Sequence, residues 1–488
     1  MPETKRYELA NLRPWALFLL IFLFALLFQG SRGLYDRDET RYAEVAREML
    51  MTKDFVIPHR GLRIHLTKPP LTYWALAGSM KVLGVNEWGT RLPNALAFSL
   101  TALLCGLIAQ SLWGRRQEGL WATLIYVTTL TPFVAENIVT TDTLLVLWET
   151  LGVWALVQGL HKERAHHWFV LLWAAWGLAF FTKGPALIPV VAAFLIFYLR
   201  HRGLFPCFPL PLAGALLFFW LGLWWYVYIC LFHPQAFSFF WEEQIMGRVA
   251  GHFQNSAWYA PFYLYLPLVT LGALIWWAFW ARKPKAALAF LDGIRNDWRK
   301  ELVVLWFLVP LLVFSIARSR LPLYILPCFP PLAVATAPFF TRNYTFSSGI
   351  RRLLLAWIFF LLVGKALWAQ IPVPQDARRY SQIAQPLFSP GACLISIGNA
   401  RGDGLAFYTK APWIHLKGFE EFCPQRLPHL LDTPYTKNCR VWLLLLSREQ
   451  LKHRPWLRPQ GPFKVLPTRN VLFRLSREEL LSLARDHR

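Results

Sequence analysis

Three acids and a lysine within the first seventy residues have types and spacings suited to chemistry. Asp36, Asp38 and Glu39 crowd the start of residues 36 to 51, where Tyr42, Val45, Met49 and Leu50 share one face at helical spacing and Arg41, Glu44, Arg47 and Glu48 lie elsewhere. A single acid there only caps the helix and complements its dipole. Three are more than a cap requires. Lys68 precedes Pro69 and Pro70, which restrict its backbone to an extended form. An ammonium pinned this way at a bilayer surface suits a phosphate; the alternative is an ordinary snorkelling lysine. Further ionisable residues recur at the ends of apolar runs: Glu136 and Asp142, Lys183, Arg318 and Arg320, and Glu242, Glu243, Arg248 and His252 between 233 and 256. Such groups at membrane depth are functional candidates by default, and together they describe a polar, partly cationic cavity opening outward.

The elements that must position them are membrane helices. The 488 residues are 56% hydrophobic and only 16% charged, with 25 Trp, 38 Phe and a net charge of +23. A soluble domain carries about a quarter charged residues. Basic residues separated by long apolar runs point to membrane topology and exclude a nucleic-acid binder, whose Lys and Arg lie on a polar exterior. Runs of about 20 apolar residues fall near 14 to 31, 91 to 113, 119 to 135, 139 to 160, 167 to 182, 184 to 199, 208 to 232, 257 to 280, 301 to 317, 321 to 340 and 352 to 370. The fold class is therefore mostly α, a polytopic helical membrane protein of about eleven crossings, with eleven to thirteen allowed. The first run lacks a small-x-small cleavage site and reads as an anchor. Leu71 to Leu83 is short, contains Lys81, and reads as an interfacial or re-entrant helix, as residues 36 to 51 do. The Trp and Phe abundance is expected mainly at interfaces and on lipid-facing surface.

With the N-terminus cytoplasmic, the inner loops hold 18 Lys and Arg, whereas the short outer loops hold Lys183, Arg248, Arg318 and Arg320. Basic residues resist translocation, so this orientation is favoured. The long outer loop, 32 to 90, breaks the bias with nine basic residues, and binding something anionic is a natural reason. Residues 1 to 370 form the expected transmembrane domain and 371 to 488 a small extracytoplasmic α/β domain, with short apolar runs at Ala392 to Ile397 and Val441 to Leu446. Its Gly398 to Gly404 turn does not have the spacing of a nucleotide fold. Of seven cysteines, Cys423 and Cys439 are expected to pair if the tail is outside the cytoplasm.

Tyr35-Asp36-Arg37-Asp38-Glu39-Thr40-Arg41-Tyr42-Ala43-Glu44, Thr67-Lys68-Pro69-Pro70-Leu71-Thr72-Tyr73-Trp74, Phe181-Thr182-Lys183-Gly184, Trp258 through Leu266-Pro267, and Tyr324-Ile325-Leu326-Pro327 resemble, in consistent order, the bacterial aminoarabinose transferases of lipid A and the related protein O-mannosyltransferases. These are glycosyltransferases of the C superfamily, and the resemblance covers residues 10 to 370. It implies inverting transfer of a sugar from a polyprenyl phosphate to an extracytoplasmic acceptor, such as lipid A or another envelope glycolipid, at a bacterial inner membrane. It further implies that Asp38 and Glu39 are the catalytic pair, with Asp38 the key acid and Glu39 supporting the site or capping the helix, that Lys68, Arg248 and Tyr324 hold the donor phosphate, and that Asp142, Lys183, Arg318 and Arg320 support the site, Asp142 and Lys183 alternatively as a buried pair across the helices. The aminoarabinose branch has a metal-associated glutamate where this chain has Thr67. His65 and His252, with Asp38 and Glu39, remain weak candidates for a divalent metal, and no other cofactor is implied. The alternatives are a protein O-glycosyltransferase and a non-enzymatic flippase for lipid-linked sugars.

Overall fold

The structure is a computed structural model that describes residues 13–161, 164–247, 263–288, 292–344, 347–454 and 462–485. It divides into two compact units. One comprises residues 1–27, 67–72 and 92–364; the other comprises 28–66, 73–91 and 365–488.

The first unit is helical. Within the described residues a helix lies in each of the eleven expected apolar segments, from Pro14–Leu26 to Ser348–Trp368. Five are long and apolar enough to cross a membrane: Glu87–Trp113, Asp142–His161, Ala165–Arg200, Leu212–Phe232 and Pro322–Asn343. The third has 36 residues, far more than the roughly 20 one crossing needs. Gly184, at φ +61, breaks it into Ala165–Lys183 and Ile188–Arg200 around a 3-10 turn. Small residues let helices approach closely. A Cβ on Gly106 would lie 2.3 Å from Thr123 Oγ1 and 2.9 Å from the Gly119 carbonyl, so the 87–113 helix packs directly on Arg116–Thr128. The aromatic residues do more than face lipid. Trp121, Trp176, Trp225 and Trp276 are fully buried, and Trp121, Trp276 and Phe340 meet with ring centroids 5.0 to 6.4 Å apart. Aromatic surface is thus a main part of this core.

The second unit is α/β. Its strands are β1 (Ala392–Ile397), β2 (Trp413–Leu416), β3 (Val441–Ser447), β4 (Phe463–Val465) and β5 (Asn470–Ser476), in spatial order β2-β1-β3-β5-β4. β1 runs parallel to β2 and β3, while β5 runs antiparallel to β3 and β4. Side chains alternate between faces along a strand. Accordingly Cys393, Ile395, Ile397, Trp442, Leu444 and Leu446 build one core layer, and Ala392, Leu394, Leu443 and Leu445 build the other. Both apolar runs read from the tail are central strands buried on both faces.

The disulfide differs from the expected Cys423–Cys439 pair. Cys393 bonds Cys439, and Cys423 is free. The cause is strand pairing: the Ala392↔Val441 and Cys393↔Trp442 register brings Cys439, two residues before β3, to a Cα separation of 5.8 Å from Cys393.

The outer-loop helix Glu39–Thr52 belongs to this unit and packs against the Asp403–Thr409 helix. Both its apolar and its charged faces are covered. Glu44 pairs with Arg47, which also donates to the Ala411 carbonyl, and Glu48 accepts from the amides of Gly61 and Leu62 and from Trp413 Nε1. Burial first, and then the Glu44 carboxylate, push Glu48 up to about 8 despite Arg47 and the amide donors. Burial pushes Glu44 up to about 7 against the same arginine. One guanidinium between two buried carboxyls does not keep both ionised.

Two outcomes follow. Reduction, or Cys439→Ser, destabilises the second unit by about 2–4 kcal/mol in denaturant unfolding, while Cys423→Ser leaves it unchanged; non-reducing peptide mapping identifies the linked pair. A carboxyl with a raised folded pKa stabilises the fold below its unfolded value and loses that contribution as pH rises. The unfolding midpoint therefore falls from about pH 5 to about pH 8, and Glu48→Gln flattens this limb.

Candidate active site

In the second unit, the adjacent acids Asp38 and Glu39 have opposite surroundings. Asp38 precedes the first helical residue but accepts no hydrogen bond from the helix amides, so it is not a cap. Its side chain is 59% exposed and, among the described residues, receives one hydrogen bond, from Arg41 at 2.9 Å. Glu39 is 1% exposed. It accepts from Arg32 at 2.5 and 3.2 Å, from Arg91 at 3.2 and 3.3 Å, and from the Tyr35 amide at 2.9 Å. Burial raises its pKa, but Arg32 and then Arg91 overcome that and hold it at about 2.

The two arginines are themselves fixed. Arg91 donates to the carbonyls of Gln29, Arg32 and Gly33, and the Arg32 guanidinium lies 4.2 Å from the Tyr35 ring centroid and 4.8 Å from that of Trp368. The chain from 29 to 39 is thereby wrapped around one ion cluster, and Asp38 projects from its rim. A lone arginine opening an apolar run is the signal by which Arg91 stands out in the sequence.

Asp36 accepts from Thr40 Oγ1 at 3.1 Å, and burial together with Asp403 pushes it up to about 6. His65 is pushed down to about 3 by burial, then Arg60 and Arg41, so it stays neutral. Among the described residues no group of three His, Cys, Asp or Glu side chains is placed to hold a metal, and the charges around His65 include two arginines. His252 and Arg248 lie outside the described residues.

In the first unit, Lys68 is half-buried in a bend before the buried Pro69 and Pro70. Lys183 forms an ion pair with Asp142, and both are almost wholly buried. The Lys183 ammonium also stands 4.0 Å from the Tyr324 ring centroid. Tyr324 lies on the 3-10 turn Pro322–Cys328, and the carbonyl of Leu321 just before it accepts from Tyr265 OH. Lys183, Asp142 and Tyr324, from three separate sequence segments, are therefore one assembly. Arg320 donates to the Ser315 carbonyl in the last turn of Trp298–Ile316, as a helix-ending residue does, and Arg318 is exposed. Glu149, two turns after Asp142, is buried, and neither carboxyl oxygen makes a hydrogen bond to a described residue. Its place inside an apolar run gives it no signal in the sequence.

These features meet known proteins in several ways. The family model described as dolichyl-phosphate-mannose-protein mannosyltransferase matches residues 67–239. An undecaprenyl phosphate-alpha-4-amino-4-deoxy-L-arabinose arabinosyl transferase 2 from Pseudomonas fluorescens is 31% identical over 424 residues, covering 83% of this chain and 67% of its own length. An undecaprenyl phosphate-alpha-4-amino-4-deoxy-L-arabinose arabinosyl transferase from Aeromonas hydrophila is 34% identical over 345 residues, 67% of this chain and 60% of its own. The chain thus spans about three fifths to two thirds of these relatives. The fold matches crystal structures of ArnT from Cupriavidus metallidurans. The apo form gives a TM-score of 0.75 at 21% identity, covering 96% of this chain and 98% of the other, and the form bound to undecaprenyl phosphate gives 0.74 at 20%, covering 94% and 97%. With this identity across two thirds of the Pseudomonas protein, the chain belongs to the family of undecaprenyl-phosphate aminoarabinose arabinosyl transferases, multi-pass glycosyltransferases of the inner membrane.

Proposed function

We propose that the protein transfers a sugar from a polyprenyl phosphate to an extracytoplasmic acceptor, lipid A or another envelope glycolipid, with inversion at the anomeric carbon. The observation that carries the residue assignment is the contrast between Asp38 and Glu39. Glu39 is consumed by two buried arginines, whereas Asp38 has a solvent-facing carboxylate with one partner among the described residues. Asp38 is the catalytic carboxylate and Glu39 a positioning residue.

In the reaction an acceptor oxygen forms a bond to the anomeric carbon as the bond from that carbon to the donor phosphate oxygen breaks. The electron pair of the broken bond leaves with the lipid phosphate. For a hydroxyl acceptor, Asp38 takes the released proton. A phosphate acceptor is already anionic and needs only orientation. Negative charge grows on the leaving phosphate, so Lys68 and Arg248 are assigned to neutralise it and Tyr324 to donate a hydrogen bond. Lys183, neutralised by Asp142, supports Tyr324 through its ring face. Arg318 and Arg320 have a lesser part, since Arg320 already terminates a helix.

The N-terminus is assigned to the cytoplasm and the 371–488 domain to the periplasm. Supporting this are the basic inner loops and the Cys393–Cys439 disulfide, a bond suited to an oxidising compartment. The loop from 32 to 90, contiguous in sequence with the transmembrane domain of residues 1–370, works largely as part of the unit that contains the tail. A protein acceptor is the second reading, favoured by the mannosyltransferase model that matches residues 67–239.

The test is transfer by full-length protein in lipid with labelled polyprenyl-phosphate sugar. Asp38→Asn lowers kcat by about 100-fold or more with an unchanged unfolding midpoint; equal turnover would remove Asp38 from the chemistry, and movement of intact donor without transfer would indicate a flippase. Glu39→Gln acts differently. It leaves two buried arginines short of an anion and costs about 3–5 kcal/mol of stability. Because the Glu39 pKa is depressed, its wild-type contribution is present above about pH 4.5 and is lost as pH falls toward 2. Glu39→Gln removes that acid limb from the midpoint profile.

A further inference from the structure

Within the second unit, the stretch that leads into Asp38 is paired along most of its length with the tail. Tyr35 and Asp376 form an antiparallel bridge, in which the Asp36 amide donates to the Gln375 carbonyl at 2.8 Å and the Ala377 amide to the Leu34 carbonyl at 2.9 Å. Tyr408 accepts from the Leu34 amide at 2.9 Å and donates to Glu87 at 2.6 Å. Arg378 donates to the same carboxylate at 2.7 Å and to the carbonyls of Gly30 at 2.8 Å and Arg32 at 3.3 Å. The two segments close tightly at Gly33, where a Cβ would collide with the Asp376 carboxylate and lie 2.7 Å from Arg378 Cβ. Residues 375 to 378, together with Tyr408, are thus a template for this backbone.

Arg37 shows what the template does. It is at φ +87, and its exposed side chain makes no hydrogen bond or ion pair with a described residue. A left-handed backbone at a residue with a Cβ is strained and persists only where the surroundings fix it. Here both sides of the kink are pinned, Asp36 by the Gln375 carbonyl before it and Glu39 by Arg32 and Arg91 after it. The Thr40 amide also reaches back across it to the Tyr35 carbonyl at 3.3 Å. Since no contact of the arginine side chain with a described residue accounts for the conformation, the part played by Arg37 is in its backbone. It turns the chain so that Asp38 faces solvent while Glu39 enters the ion cluster.

We propose that residues 375 to 378 and Tyr408 of the tail are positioning elements for glycosyl transfer, holding a strained turn at Arg37 that aims the Asp38 carboxylate. This role rests on the reading of Asp38 as the catalytic acid. It gives the tail a part in the reaction that acts through backbone geometry, without contact with the reacting atoms. Holding a reacting group in place supplies much of the barrier reduction in a two-reactant step, and a misplacement of about 1 Å costs about 100-fold in rate.

The experiment compares wild type, Arg37→Gly, Arg37→Ala and Tyr408→Phe as full-length proteins in lipid, by steady-state transfer from labelled polyprenyl-phosphate sugar, unfolding midpoint and amide hydrogen exchange. Glycine adopts a positive φ without strain. Arg37→Gly therefore keeps or raises the midpoint yet lowers kcat about 10-fold or more with KM unchanged, and Arg37→Ala, which keeps the Cβ, loses several-fold less. Tyr408→Phe lowers kcat in the same way and speeds exchange at the Leu34 amide. A role in stability alone predicts wild-type kcat for Arg37→Gly, and that result overturns the proposal. An equal loss in Arg37→Gly and Arg37→Ala overturns it too, by assigning the effect to the guanidinium. Absence of transfer by wild type removes the glycosyltransferase reading alone, whereas Leu34 and Asp36 amides that exchange freely in wild type remove the template alone.

Discussion

The burial of Glu39 between Arg32 and Arg91 is the interaction on which the rest of the site depends. A carboxylate removed from water is costly unless it is paired and its lone pairs are satisfied. Here two guanidiniums and the Tyr35 amide meet that requirement, and the spare donors of Arg91 are taken by three carbonyls between residues 29 and 33. The cluster therefore fixes backbone as well as side chains. It joins the chain after the first apolar helix to the start of the 87–113 helix, and leaves Asp38 as the acid that faces solvent. A carboxylate intended for chemistry needs a free lone pair and a rigid mount. The residue before it in the chain, Arg37, is at φ +87, and the residue after it is locked.

The second unit extends the same logic. Its sheet supplies two apolar layers, and the outer-loop helix is held through Glu48, which accepts from Trp413 of β2 and from the amides of Gly61 and Leu62. Arg378, at the start of the Ala377–Ala384 helix, donates to Glu87 and to the Gly30 carbonyl, and Tyr408 donates to Glu87 as well. Polar contacts from the tail thus reach both ends of the 28–91 loop. A domain without a motif of its own is in this way part of what holds the motif residues.

Much of this was legible in the sequence because it rests on local rules. Apolar runs located the helices, the short Leu71–Leu83 segment is a helix over those same residues, and two apolar runs in the tail are the central strands. The position of Asp38 at the head of an amphipathic segment was also readable. Pairings across long separations were not. The nine basic residues of the outer loop suggested an anionic ligand, yet most neutralise acids, including Asp403 and Glu421 more than 300 residues away. Composition cannot tell an arginine that binds substrate from one that binds a distant aspartate. Cys439 likewise found Cys393 through strand register, which spacing does not reveal. Lys183 and Asp142 were readable as a buried pair across the helices, but that Tyr324 joins them was not.

We propose that Asp38 is presented to the extracytoplasmic solvent while Glu39 anchors the fold. Thiol accessibility in intact cells tests this, using Asp38→Cys in a background with Cys207, Cys230 and Cys423 each replaced by Ser, and Arg202→Cys in the same background as the inner-loop reference. A membrane-impermeant maleimide should label the Asp38→Cys protein without permeabilisation and the Arg202→Cys protein only after it. Labelling of the Asp38→Cys protein only after permeabilisation, or no labelling of the folded protein at all, would place Asp38 away from the extracytoplasmic solvent.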